Sequence, residues 1–145
     1  MTTLADFAEL AGNEHGFVVV ATTRADGTVQ ASVVTAGVMQ HPSTKNDVVV
    51  FVAAGRSAKL AHLRVRPAIT FTARNGPVWA TVEGTAEIIG PDDNAPDAET
   101  LRVLLRDAFK GAGGTHDDWD EYDRVMREER RAVVFVTPTR VYSSG

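Results

Sequence analysis

Two β-branched runs joined by a tight turn constrain this chain more than any other feature. FVVVATT (17–23) leads through Arg24-Ala25-Asp26-Gly27 into TVQASVVTAGV (28–38). Asp-Gly between two such runs is a strong short-range hairpin signal, because the turn that matches strand twist needs residues tolerating positive φ. The chain therefore starts its sheet antiparallel. A third run, VVVFVAA (48–54), is so apolar that both of its faces should be buried. Strands follow at 68–73 and 78–89, and the closing segments are AVVFVTP (132–138) and TRVYS (139–143). Gly84, inside the fifth run, marks a bulge or a close backbone approach.

The helical signals lie around these runs. Leu4, Phe7, Ala8 and Leu10 make a short amphipathic helix near the start. Ser57 caps a short helix, SAKLAHLR, which Pro67 stops. Leu101, Leu104, Leu105 and Ala108 form the stripe of a longer helix, and Trp119, Tyr122 and Met126 that of another. Strands precede the long helices instead of alternating with them, which excludes a parallel β–α–β sheet. The expected fold is mainly β (α+β): an antiparallel split β-barrel of six to seven strands with flanking helices, as one domain over 1–145.

Composition removes several functions. The chain has no cysteine, so thiolate metal sites, disulfides and a Cys nucleophile are out. His15, His41, His62 and His116 are scattered without i, i+4 pairing, so no zinc site is expected. Net charge is −4, against the basic balance of nucleic-acid binders, so no nucleic acid is expected as partner. The start carries neither the cationic nor the apolar region of a signal peptide, and no run approaches the roughly 18 apolar residues of a spanning helix. A soluble, cytoplasmic protein with no membrane partner is the expectation.

Charge is unevenly distributed. Between Val48 and Val82 there is no Asp or Glu, yet Arg56, Lys59, Arg64, Arg66 and Arg74 all fall there. Arg56, Ser57 and Lys59 sit at a strand-to-helix junction, where free backbone N–H groups and the helix dipole favour anions. A phosphate cradle is one reading, and a solvated helix face with an ordinary Ser cap is the other. Trp79 likewise has two readings: a core residue, or a flat wall against a planar ring.

The segments VVATTRADGTVQASVV, GRSAKLAHLRVRPAITFTA and VWATVEGTAEI resemble the split β-barrel of the pyridoxamine 5′-phosphate oxidase-like superfamily. HDDWDEYDRVMREERRAVVFVTPTRVY is similar to its actinobacterial deazaflavin branch, whose cofactor is coenzyme F420. The resemblance covers roughly residues 14–90 and 116–143. It implies a homodimer with cofactor sites at the subunit interface, and a phosphate held by Ser57-Ala58-Lys59 with Arg56 beside them. It also implies cofactor contacts at Thr35, Ala53, His62 (where the family often has Asn) and Trp79. The implied activity is hydride transfer from reduced F420 to a conjugated organic small-molecule substrate. An FMN-dependent oxidase or reductase is the alternative, and a non-catalytic flavin or tetrapyrrole binder is a further one. No side chain is assigned as acid or base.

Overall fold

The computed structural model describes residues 1–145, as six strands and four helices. In chain order these are α1 (Leu4–Asn13), β1 (Phe17–Thr23), β2 (Val29–Gln40), β3 (Asp47–Ala53), α2 (Ala58–Val65), β4 (Ala68–Asn75), β5 (Val78–Ile89), α3 (Ala98–Gly111), α4 (Trp119–Glu128) and β6 (Ala132–Ser143). The strands close an antiparallel barrel in the order β1-β2-β3-β6-β5-β4, with β4 pairing back onto β1. The mainly β class with flanking helices is as the sequence implies.

The β1–β2 hairpin forms where Asp-Gly stands. Gly27 takes φ +86°, and the Asp26 carboxylate accepts the Thr28 N–H at 3.0 Å. The two closing runs are one strand, β6, despite Pro138. Pro138 has no N–H to give a ladder, and the sheet absorbs this with a register shift: Gly84 pairs with Pro138, but Glu83 pairs with Arg140. The extra residue is thus Thr139, whose hydroxyl donates to the Glu83 carbonyl at 3.1 Å. Gly84 is needed opposite, because a Cβ there would meet the Thr137 carbonyl oxygen at 2.4 Å.

Two apolar layers explain why β3 is hydrophobic on both faces. Val49, Phe51 and Ala53 point into the barrel with Val18, Val20, Phe71, Val82 and Val134. Phe7 of α1 and Leu60 and Leu63 of α2 complete this core. Val48 and Val50 point outward, where Leu105, Ala108 and Tyr122 of α3 and α4 cover them together with Val133 and Phe135 of β6. No helix is long and apolar enough to cross a membrane.

Closure leaves no unpaired strand edge, so edge protection does not call for a second subunit. The barrel instead leaves an outer apolar face uncovered. Val19 and Val33 are cross-strand partners there, 46% and 60% exposed, and Phe17 and Val29 extend the face along β1 and β2.

Candidate functional site

The β3–α2 junction is built by local rules. Ser57 is the N-cap of α2 and its Oγ accepts the Leu60 N–H at 3.3 Å. Leu60 and Leu63 are buried under the barrel, which anchors the helix and fixes its first turn. Lys59, one residue into the helix, is therefore held at the barrel rim. Its Nζ donates to Ser32 Oγ of β2 at 3.0 Å, across 27 residues of sequence.

This junction forms one wall of a cavity of 620 Å³, within the size range of small-molecule and cofactor sites. Val33, Val34 and Thr35 of β2 and Val52–Ala54 line it beside Ser57 and Lys59. The opposite wall comes from the α3–α4 region: Phe109, His116, Tyr122, Val125 and Met126, with Arg131 just beyond α4. The cavity is mainly apolar, with Lys59, Ser57 and Thr35 from the barrel side and His116, Glu121 and Arg131 from the α3–α4 side as its polar groups.

The structure brings together four of the seven residues expected to bind a cofactor: Thr35, Ala53, Ser57 and Lys59 all line this cavity. Arg56 adjoins it on the same loop but is exposed and does not line it. His62 does not reach it; its Nδ1 hydrogen-bonds Thr22 Oγ1 of β1 at 2.9 Å, and Thr22 is buried. Trp79 lies in a separate groove with Leu10 and Ser143–Gly145, its ring edge-on to Tyr142 at 6.1 Å. Within one chain it is neither in the core nor a wall of this cavity: Ala80 and Val82 take the inward positions of β5, which turns Trp79 outward.

The cation-rich stretch is also not one patch. Arg64 makes two 2.8 Å hydrogen bonds to Asp93, which the β5–α3 loop carries back to it. Arg66 donates to the Thr23 carbonyl at 3.2 Å and Arg74 to the Gly76 carbonyl at 2.9 Å. Of the five cations only Arg64 has a carboxylate partner, and of the other four only Lys59 lines the cavity. Lys59 is thus the cation of the stretch that a ligand in this cavity meets.

Sequence reasoning missed Ser32 as the partner of Lys59, and it missed the α4 wall. Tyr122 is buried and its hydroxyl donates to the Leu105 carbonyl at 2.8 Å, while burial pushes its pKa up to about 12. It shapes the cavity but is not an available acid. A larger cavity of 720 Å³ lies on the other flank of α4, between α3 and α4; none of the expected residues lines it.

A family model described as pyridoxamine 5′-phosphate oxidase matches residues 5–145. Among solved structures, an F420 reductase is similar over 87% of this chain and 88% of its own, with 18% identity and a TM-score of 0.59. A conserved hypothetical protein from Mycobacterium tuberculosis matches over 99% and 84%, with 20% identity and a TM-score of 0.64. A heme binding protein from Mycobacterium smegmatis matches over 100% of this chain and 55% of its own, with 17% identity and a TM-score of 0.64. At these identities the structural likeness speaks for the fold.

Proposed function

Since the chain belongs to the pyridoxamine 5′-phosphate oxidase family, we propose that it is an oxidoreductase that binds coenzyme F420 in the 620 Å³ cavity and reduces a conjugated organic acceptor, with FMN as the alternative cofactor. One observation carries the reading: Lys59, free of any carboxylate, lines a mainly apolar cavity together with Ser57. That donor set fits a phosphate-bearing ring. Lys59 and Ser57 would hold the phosphate by charge-assisted hydrogen bonds. Val33, Val52, Val125 and Met126 would sandwich the ring and keep water from its reactive face. The bound cofactor would supply the hydride chemistry, and the protein binding and orientation.

The proposed protein is a homodimer. Support comes from the outer face of β1 and β2, where Phe17, Val19, Val29 and Val33 are exposed together. Val33 also lines the cavity, so a partner seated on this face would border the cofactor. The test is anaerobic mixing of the protein with reduced F420, or reduced FMN, and a panel of conjugated acceptors, followed by absorbance. Reoxidation that depends on both protein and acceptor is expected; its absence with both cofactors would refute an oxidoreductase.

A further inference from the structure

We propose that His116 is a hydrogen-bond donor of fixed tautomer in this cavity, and that it selects ring ligands presenting a carbonyl oxygen over ligands presenting a metal. The proposal rests on the reading of the cavity as a flavin-type site.

His116 lines the same cavity as Lys59. Its Nδ1 accepts the backbone N–H of Asp118 at 3.0 Å. A backbone amide can only donate, so Nδ1 must present its lone pair, and the proton of the neutral ring resides on Nε2. The Asp118 amide is itself held in place. Asp118 is the N-cap of α4, and its carboxylate accepts the Glu121 N–H at 3.1 Å. Phe109, Trp119 and Tyr122 pack around the imidazole, with centroids 6.4, 5.9 and 5.8 Å away. The ring is therefore fixed in both position and tautomer, and the only polar atom it can offer a ligand is Nε2–H.

Two of the other polar side chains that line the cavity, Tyr122 and Arg131, make hydrogen bonds of their own. The Tyr122 hydroxyl donates to Leu105. Arg131 Nε donates to Glu129 at 2.7 Å, and its terminal N–H groups remain a charged donor. Glu121 offers only acceptors in its ionised form. His116 supplies the one ring N–H among the residues that line the cavity. The cavity then selects a largely apolar molecule that carries both an anionic group for Lys59 and a carbonyl oxygen for His116. It disfavours iron ligation, because a ligating imidazole needs its lone pair on the ligating nitrogen and donates its other N–H outward. The arrangement at His116 is the reverse. Neutral imidazole is a donor and polariser, as in sites where it stabilises charge on a carbonyl oxygen, and no proton leaves it.

The test combines ring nitrogen NMR with binding of three probes: riboflavin, which has the ring without the phosphate, FMN and haemin. Wild type should show His116 with its proton on Nε2, and that resonance should move when riboflavin is added. His116→Phe, which keeps an aromatic ring in the cluster, should weaken riboflavin and FMN alike, by roughly 3- to 10-fold, the factor for one neutral hydrogen bond. His116→Gln retains a donor and should recover part of the loss. Lys59→Ala should weaken FMN while sparing riboflavin. Haemin should show no His116-dependent band. An Nδ1–H tautomer, an unchanged riboflavin affinity in folded His116→Phe, or a haemin spectrum that His116→Phe abolishes would overturn the proposal. If His116→Phe does not fold, the wild-type tautomer and its response to riboflavin decide. Failure of the wild type to bind any flavin or F420 would remove the functional reading and this proposal together, whereas normal binding that ignores His116 would remove this proposal alone.

Discussion

Lys59 Nζ lies 3.0 Å from Ser32 Oγ, so a cation of the helix that follows β3 meets a hydroxyl of the neighbouring strand β2. A neutral hydroxyl leaves the lysine charge uncompensated, unlike Arg64, which Asp93 neutralises. This pairing separates the cation that is available to a ligand from those that hold the fold together.

The contrast gives a paired expectation. Lys59→Ala should reduce affinity for a phosphate-bearing ligand by roughly 10-fold or more, the loss of one charge-assisted hydrogen bond. Arg74→Ala should change it by less than about 2-fold, since a difference of a few tenths of a kcal/mol is all that a remote surface charge contributes. Titration calorimetry at low and high salt checks both, and wild type should lose more affinity with salt than Lys59→Ala. Equal losses in the two variants would mean that the cations act only through net charge.

The outer β1–β2 face supplies a test of assembly. Val19 and Val33 face each other across the strand pair and are both exposed in one chain. Burial of a valine contributes about 1.5 kcal/mol or more, and a buried unpaired carboxylate costs considerably more. Val33→Asp should therefore convert a dimer to a monomer without unfolding it. Light scattering with a thermal melt reads both; a wild-type monomer at micromolar concentration would contradict the shared interface.

Trp79 should behave as a residue of the outer sheet. Its ring packs on Tyr142 outside the barrel and is half-buried. Full truncation of a core aromatic costs about 3–5 kcal/mol, so Trp79→Ala should cost less than that. Pyrophosphate binding at the Ser57–Lys59 end should stay at the wild-type value. A strong loss would show that the anion end extends to the Trp79 groove.

Stability should also depend on acid through Asp123. This carboxyl is buried, and its hydrogen bonds from Arg106, then Arg102, hold its pKa below the usual carboxylate value. A lowered folded-state pKa gives stabilisation that is fully present above the ordinary carboxylate range and lost as pH falls through the folded value. Asp123→Asn should be less stable than wild type at neutral pH by about 1–2 kcal/mol, and the gap should close below about pH 4. Thermal melts across that range check the sign; a gap that widens in acid would contradict it.

Features set by neighbours in sequence were legible before the structure. The Asp26-Gly27 turn, the Ser57 cap, the two-faced burial of β3 and the irregularity at Gly84 all follow from local pattern. Features set by distant chain segments were not. Asp93 returns to Arg64 from 29 residues away and Thr22 captures His62 from 40, so an acid-free window and a helix histidine both looked more available than they are. The Trp119, Tyr122 and Met126 stripe of α4 was legible as the apolar face of a helix, but what that face covers was not. Only its docking over β3 and β6 makes His116, Tyr122 and Met126 a cavity wall. Trp79 could be read either way because a strand's two faces exchange with a one-residue change of register.

The most direct measurement is a calorimetric titration of F420 and FMN into wild type and Lys59→Ala at low salt. The account expects saturable binding of at least one cofactor to wild type, with F420 the tighter, and a drop of roughly 10-fold or more in the variant. Binding of neither, or equal affinity of wild type and Lys59→Ala, would contradict a cofactor site at the β3–α2 junction.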